Sequence, residues 1–259
     1  MAPRYWEYVM SYVIALAGKG GVGKTTTAAL IVKYLLKNRK TPILAVDADP
    51  NSNFSESIGI DIEDTIGGAL ADFLRDRCEI PSGMTKQSYL ELKLHQILKE
   101  TKDIDMLVMG TPEGPGCYCA ANSMLKSYFD DLAKNYNYVV VDNEAGMEHF
   151  SRKTNTQIDL LIICSNYSLK GIKTAKRLSD LVNDLGLDVN KRFLLVNQAP
   201  DQMDKNILEE IERSGLPFMG NVIADNLIEE YEISGKPLTD LPENSKAYQN
   251  IELFLKKYL

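Results

Sequence analysis

The most specific chemical pattern in this 259-residue chain is Gly18-Lys19-Gly20-Gly21-Val22-Gly23-Lys24-Thr25. It lies between an apolar run, Val13-Ile14-Ala15-Leu16-Ala17, and Thr26-Thr27-Ala28-Ala29-Leu30-Ile31-Val32, which reads as a helix. Strand, glycine loop and helix in that order form the context in which a backbone cradles phosphate. Glycines let successive N–H groups turn toward phosphate oxygens, and the helix start adds partial positive charge. Lys24 is expected to reach the β- and γ-phosphates, and the Thr25 hydroxyl to complete the coordination of Mg²⁺. Gly18 through Thr26 are therefore the candidate residues for a nucleoside triphosphate.

A phosphate loop needs carboxylates near its metal and its attacking water. Ile43-Leu44-Ala45-Val46 runs into Asp47-Ala48-Asp49, two acids just past an apolar stretch. Tyr138-Val139-Val140-Val141-Asp142 is a second strand ending in an acid, and Asp142 is expected to hold a Mg²⁺-bound water. Gly146, in Asn143-Glu144-Ala145-Gly146, would let the backbone approach the γ-phosphate.

Cys117-Tyr118-Cys119 is a different kind of signal. Two cysteines one residue apart are too close for an ordinary disulfide, but their thiolates can chelate one soft metal. One pair supplies two ligands, whereas closed Zn²⁺ sites use four; a twofold axis between two protomers would bring four together. A square-planar set would suit Ni²⁺ and a tetrahedral set Zn²⁺. Cys164, in a buried strand, reads as a small core hydrophobe, and Cys78 as structural. His149 reads as a structural histidine and His95 as a solvated one.

The elements that must position these residues alternate along the chain. Continuous apolar runs predict strands at 12–17, 42–46, 104–109, 138–142, 159–164 and 192–197, with a short one at 218–223. Helical patterns fall at 24–37, 66–76, 86–100, 121–134, 170–185, 202–213 and 244–258. No repeat or linker divides the chain, which predicts a single doubly wound α/β domain over 10–259 with a mostly parallel sheet. Residues 1–9 precede the first strand as an extension without an assigned role. The net charge of −7 argues against nonspecific nucleic-acid binding over the whole surface. No apolar run is long enough to span a bilayer and no signal peptide is legible, so a cytoplasmic location without membrane contact is expected. The apolar tail Ile251–Leu259 is expected to dock on the domain.

Gly-Lys-Gly-Gly-Val-Gly-Lys-Thr-Thr resembles the deviant phosphate loop of the MinD/ParA-type ATPases. The resemblance implies ATP and ADP as ligands and Lys19 as a cation offered across a face-to-face dimer to the partner's phosphates. It also implies that Asp49 orients the attacking water and that Asp47 stands near the metal shell. By the same resemblance Asn197, at the end of Leu194-Leu195-Val196, serves the adenine edge. Lys19, Lys24 and Asp49 would then be the catalytic set, and Thr25, Asp47 and Asp142 the magnesium set.

Gly-Cys-x-Cys before a helix, together with Asp142-Asn143-Glu144-Ala145-Gly146-Met147-Glu148-His149, is similar to the CooC/AcsF group of nickel-insertion ATPases. That likeness implies a homodimer formed on ATP or metal binding, with apo carbon monoxide dehydrogenase or acetyl-CoA synthase as client. Two alternatives stand beside it: an iron-sulfur carrier of the nitrogenase-iron-protein kind, and a positioning ATPase like MinD or ParA.

Overall fold

The computed structural model describes residues 11–49, 53–75, 80–110, 119–144 and 157–259. Seven strands are β1 (Tyr12–Ala17), β2 (Ile43–Ala48), β3 (Ile104–Val108), β4 (Tyr138–Asn143), β5 (Ile158–Asn166), β6 (Val189–Ala199) and β7 (Phe218–Ile223). They form one sheet in the order β3-β2-β4-β1-β5-β6-β7, and every pairing between neighbours is parallel. The sequence predicts a mostly parallel sheet; this one is wholly so. Every strand therefore ends on the same edge. β4 and β5 flank β1, so the order reverses there, and such a switch point opens a crevice at the carboxyl ends.

Nine helices are present among the described residues: α1 (Lys24–Lys37), α2 (Phe54–Ile58), α3 (Ile66–Arg75), α4 (Lys86–Ile97), α5 (Cys119–Ala133), α6 (Leu169–Asp184), α7 (Lys205–Ser214), α8 (Asn226–Ser234) and α9 (Lys246–Tyr258). Successive strand residues point to opposite faces, and the chain fills both. Val13, Ala15 and Ala17 of β1 join one core with Leu70 of α3, Phe129 of α5 and Ile172 of α6. Ile14 and Leu16 join the other with Leu30 and Ile31 of α1 and Tyr248 of α9. Apolar side chains on both faces are why these strands read as continuous runs instead of alternating ones.

The tail docks as expected: α9 buries Ala247, Tyr248, Ile251 and Leu255. Strand β6 extends beyond its predicted limits at both ends, because its partners β5 and β7 continue the hydrogen-bonded ladder. Two helices, α2 and α8, fall where the sequence predicts none. The five residues of α2 are too few for a periodicity to declare itself, and α8 has no buried residue at all.

Candidate nucleotide site

The loop after β1 turns into α1 at Gly23, which caps the helix at φ +82°. A side chain there would be strained and would put its Cβ 2.9 Å from Asn197 Nδ2. No side chain caps this helix start, which suits an anion in that place. Gly18 is as constrained, since a Cβ would fall 2.5 Å from the Cys164 carbonyl oxygen. Lys24 is buried, and its Nζ reaches back over the loop to the Lys19 carbonyl at 3.4 Å. Lys19 itself is exposed.

Asn197, at the end of β6, acts on this loop directly. Its Nδ2 donates to the carbonyls of Val22 at 2.8 Å and Gly23 at 3.2 Å, and to Thr27 Oγ1 at 3.2 Å. Its Oδ1 is buried without a hydrogen-bond partner. The amide nitrogen is thus a strut for the phosphate loop, and only the oxygen remains to meet a base. Asn143 makes a similar tie from β4, donating from Nδ2 to the Leu16 carbonyl at 2.9 Å.

The two strand-end acids stand opposite one another, since Asp47 of β2 pairs in register with Asp142 of β4. Asp142 is 1% exposed, and its Oδ2 accepts a 2.6 Å hydrogen bond from Thr25 Oγ1 while Oδ1 has no partner. Burial pushes its carboxyl up to about 7, the Thr25 hydroxyl opposes that, and nearby Asp47 adds to it. An orphaned, dehydrated carboxylate oxygen beside a threonine hydroxyl is a donor set for a hard divalent cation, so these residues fit Mg²⁺. Asp47 differs. Both its oxygens are taken, by the N–H groups of Asp49 at 3.0 Å and Phe54 at 2.9 Å, and burial still pushes it up to about 6. Asp47 closes the loop that carries Asp49 and launches α2.

On the other side of the loop, Gly23, Thr26 and Leu30 share a cavity of about 410 Å³ with Asn197, Val222 and Ile228. Gln198, held at φ +55°, and Glu232 of α8 also line it. Apolar walls, one buried acceptor and an open rim suit a nucleoside. Sequence reasoning reached only Asn197 here. The signal was present: Asp225 after a predicted strand and Gly235 ten residues on bracket α8 as N-cap and C-terminal stop.

Gly146, Cys117, Cys78 and His149 lie outside the described residues; Cys119 opens α5, its side chain likewise outside. Cys164 is buried, its thiol pushed up to about 12 by burial, as befits a core residue. His95 is exposed and meets the edge of the Tyr128 ring, centroids 5.1 Å apart.

A parallel sheet with a glycine loop at its switch point and acids on the flanking strand ends defines a phosphate-loop nucleotide-binding fold. The chain belongs to the CobQ/CobB/MinD/ParA nucleotide binding domain family, whose model matches residues 13–238. It is 42% identical over 249 residues to an uncharacterized ATP-binding protein of Methanocaldococcus jannaschii, covering 95% of this chain and 98% of the relative. It is 28% identical to the carbon monoxide dehydrogenase accessory protein CooC of Rhodospirillum rubrum, covering 88% and 89%. The septum site-determining protein MinD with Mg-ADP from Pyrococcus horikoshii OT3 superposes with a TM-score of 0.67 at 18% identity, over 96% of each chain. That last likeness is one of fold. No helix among the described residues is long and apolar enough to cross a membrane.

Proposed function

We propose that this chain is an ATP-dependent metallochaperone that binds nickel, or zinc, between two protomers and supports nickel insertion into carbon monoxide dehydrogenase or acetyl-CoA synthase. The observation that carries this reading is Cys117-Tyr118-Cys119 in a chain that runs alongside CooC over almost its whole length. β3 ends on the same sheet edge as the phosphate loop and Asp142, so the chain leading to those cysteines departs from the nucleotide side of the molecule.

ATP would lie with its phosphates on Gly18–Thr26. Thr25 and Asp142 would hold Mg²⁺, with Asp47 fixing the loop that carries Asp49. When bound, Mg²⁺ screens the charge of the β- and γ-phosphates. Lys24 neutralises the phosphate chain from within the protomer, and Lys19 does so from the partner. Asp49 orients the water that attacks the terminal phosphorus, giving ADP and phosphate. Closing two protomers around ATP would bring two Cys117/Cys119 pairs together around one soft ion, and hydrolysis would separate them and release it to the client. Asn197 Oδ1 is the buried acceptor available for the adenine amino group.

Anaerobic titration of Ni²⁺ into reduced, metal-free protein, with and without ATP and Mg²⁺, tests this reading. One nickel per two chains is expected, with a thiolate-to-nickel absorbance that Cys117→Ser abolishes while ATP binding survives. ATP-driven dimerisation with no such band would overturn it. A brown iron-sulfur chromophore after anaerobic reconstitution would replace it with the carrier reading.

A further inference from the structure

We propose that the outer face of α6 is a docking surface for an acidic protein, the enzyme that receives the ion, and that Lys170, Lys173 and Arg177 are its cationic contacts. The proposal rests on the ion-delivery reading above and adds to it the surface on which the client sits.

Helix α6 turns Ile172, Ala175, Ser179 and Val182 into the molecule. On the opposite side Lys170, Lys173 and Arg177 follow one another at helical spacing, and all three are exposed. None of the three has an ion-pair partner among the described residues, whereas Lys176 beside them is paired with Asp180.

This arrangement works against the helix that carries it. Lys173 and Arg177 are like charges one turn apart, and so are Asp180 and Asp184. The cations lie toward the N-terminal end of α6, where the helix dipole is positive, and the two acids toward the C-terminal end, where it is negative. The first turn holds no acid and the last turn no base. Helix stability therefore does not account for these residues, and solvation alone gains nothing from sorting them by sign.

The stripe also has a definite place in the fold. Lys170 shares with Lys19 a cleft of about 110 Å³ beside the phosphate loop. Through Ile172 and Phe129, α6 packs on the same face of the sheet as α5, the helix that opens at Cys119. The strands that lead into these helices, β5 and β3, both end on the phosphate-loop edge. An enzyme collecting an ion from Cys117 and Cys119 approaches that edge and meets α6 there.

Charge complementarity selects the occupant. A chain of net charge −7 repels an acidic protein on average, so a sorted basic patch fixes where such a protein lands and how it is oriented. Nucleic acid or an anionic membrane fits less well, because its negative charge would continue over Asp180 and Asp184. A protein face with acids followed by bases matches both halves of the helix.

Nickel-free carbon monoxide dehydrogenase and nickel-free acetyl-CoA synthase are the probes, offered to the full-length, nickel-loaded protein with ATP and Mg²⁺. Surface plasmon resonance at low and at high salt gives the association and dissociation rates. One of the two enzymes should bind, and Lys170→Glu/Lys173→Glu/Arg177→Glu should slow its association about tenfold or more at low salt, with the difference shrinking at high salt. The milder Lys170→Gln/Lys173→Gln/Arg177→Gln should fall between. Circular dichroism and an unchanged nickel stoichiometry establish that fold and ion site survive in each variant. Binding of neither enzyme to protein that does take up nickel, or equal association by wild-type protein and both variants, overturns the docking surface and leaves the ion reading intact. Wild-type protein that takes up no nickel overturns the ion reading and with it the client named here. Variants that instead lose binding to duplex DNA, to phosphatidylserine vesicles or to a second copy of the chain overturn the choice of an acidic protein as occupant.

Discussion

The two ends of the candidate nucleotide site are built by opposite means. At the phosphate end every group hangs from the ends of buried strands: Asp142 and Asp47 have essentially no exposure, Asn197 ties β6 to the loop, and Asn143 ties β4 to the end of β1. At the nucleoside end the wall is α8, which buries no residue fully and packs only the partly buried Leu227, Ile228 and Tyr231 against one core. Its anchor is Asp225, whose carboxylate accepts from Leu227 N at 3.0 Å, Ser245 Oγ at 2.6 Å and Ala247 N at 3.1 Å, thereby serving the starts of both α8 and α9. Their charges contrast too. Burial raises Asp142, whereas for Asp225 the same desolvation is outweighed by its hydrogen bonds and the carboxyl is lowered. One end holds a destabilised anion in readiness for a cation; the other uses an anion as a fastener.

The largest expected effect breaks the contrast at Asp142. Its folded-state carboxyl, near 7, lies above the ordinary value of 3.8. Between those values the folded chain holds a proton that the unfolded chain has lost, so stability falls as pH rises through that window. The contribution is on the order of 4 kcal/mol across the window. Urea unfolding of nucleotide-free protein at pH 5 and pH 8 should show a clear loss of stability that Asp142→Asn reduces. Parallel pH dependence in the two proteins would remove the idea that this carboxylate is held at a cost. Mg²⁺ with nucleotide should lower the Asp142 carboxyl and release protons near neutral pH, which calorimetry in buffers of different ionisation enthalpy detects.

A smaller effect is expected from Asn197→Ala. It strips the Val22 and Gly23 carbonyls and Thr27 of their shared donor, which should cost about 1–3 kcal/mol in unfolding free energy. Nucleotide affinity should fall as well, because the loop loses the strut that fixes its shape. An asparagine that served the base alone would weaken nucleotide binding and leave the unfolding curve in place, so the two measurements together separate the roles.

The same contrast governs how far the chain could be read before its structure. Gly18–Thr25, the apolar runs and the strand-end acids were legible because the phosphate end is local: loop, strand and helix are contiguous, and a parallel sheet announces itself through uninterrupted apolar segments. Seven strands and the position of the loop followed from that. What adjacency could not show is that the Asn197 amide reaches back 174 residues to Gly23, or that Asp47 spends both oxygens on its own loop. Bonds across such distances depend on which strands become neighbours, and β4 and β5 flanking β1 is a property of the whole sheet. Helix α8 escaped for another reason: its apolar residues Leu227, Ile228 and Tyr231 are only partly buried and too few in nine residues to set a period, so its caps are the clearer mark.

The smallest effect sharpens the nucleoside side of the comparison. Asp225→Ala removes one carboxylate from three donors, but α9 remains docked through Tyr248 and Ile251, and its own cap Ser245 still accepts from Tyr248 N at 3.2 Å. The loss should therefore be about 1 kcal/mol, the ordinary worth of an N-cap. Because the folded-state carboxyl lies below its unfolded value, that stability is fully present above pH 4 and disappears as pH falls through the lowered value. Its pH dependence thus runs opposite to that of Asp142. The change should also be spatially confined, with faster amide exchange in α8 and unaltered exchange in β1, β4 and α1. Exchange that quickens equally in the sheet and in α8 would mean that the nucleoside wall unfolds only with the core, and that the two ends of this site are one cooperative unit.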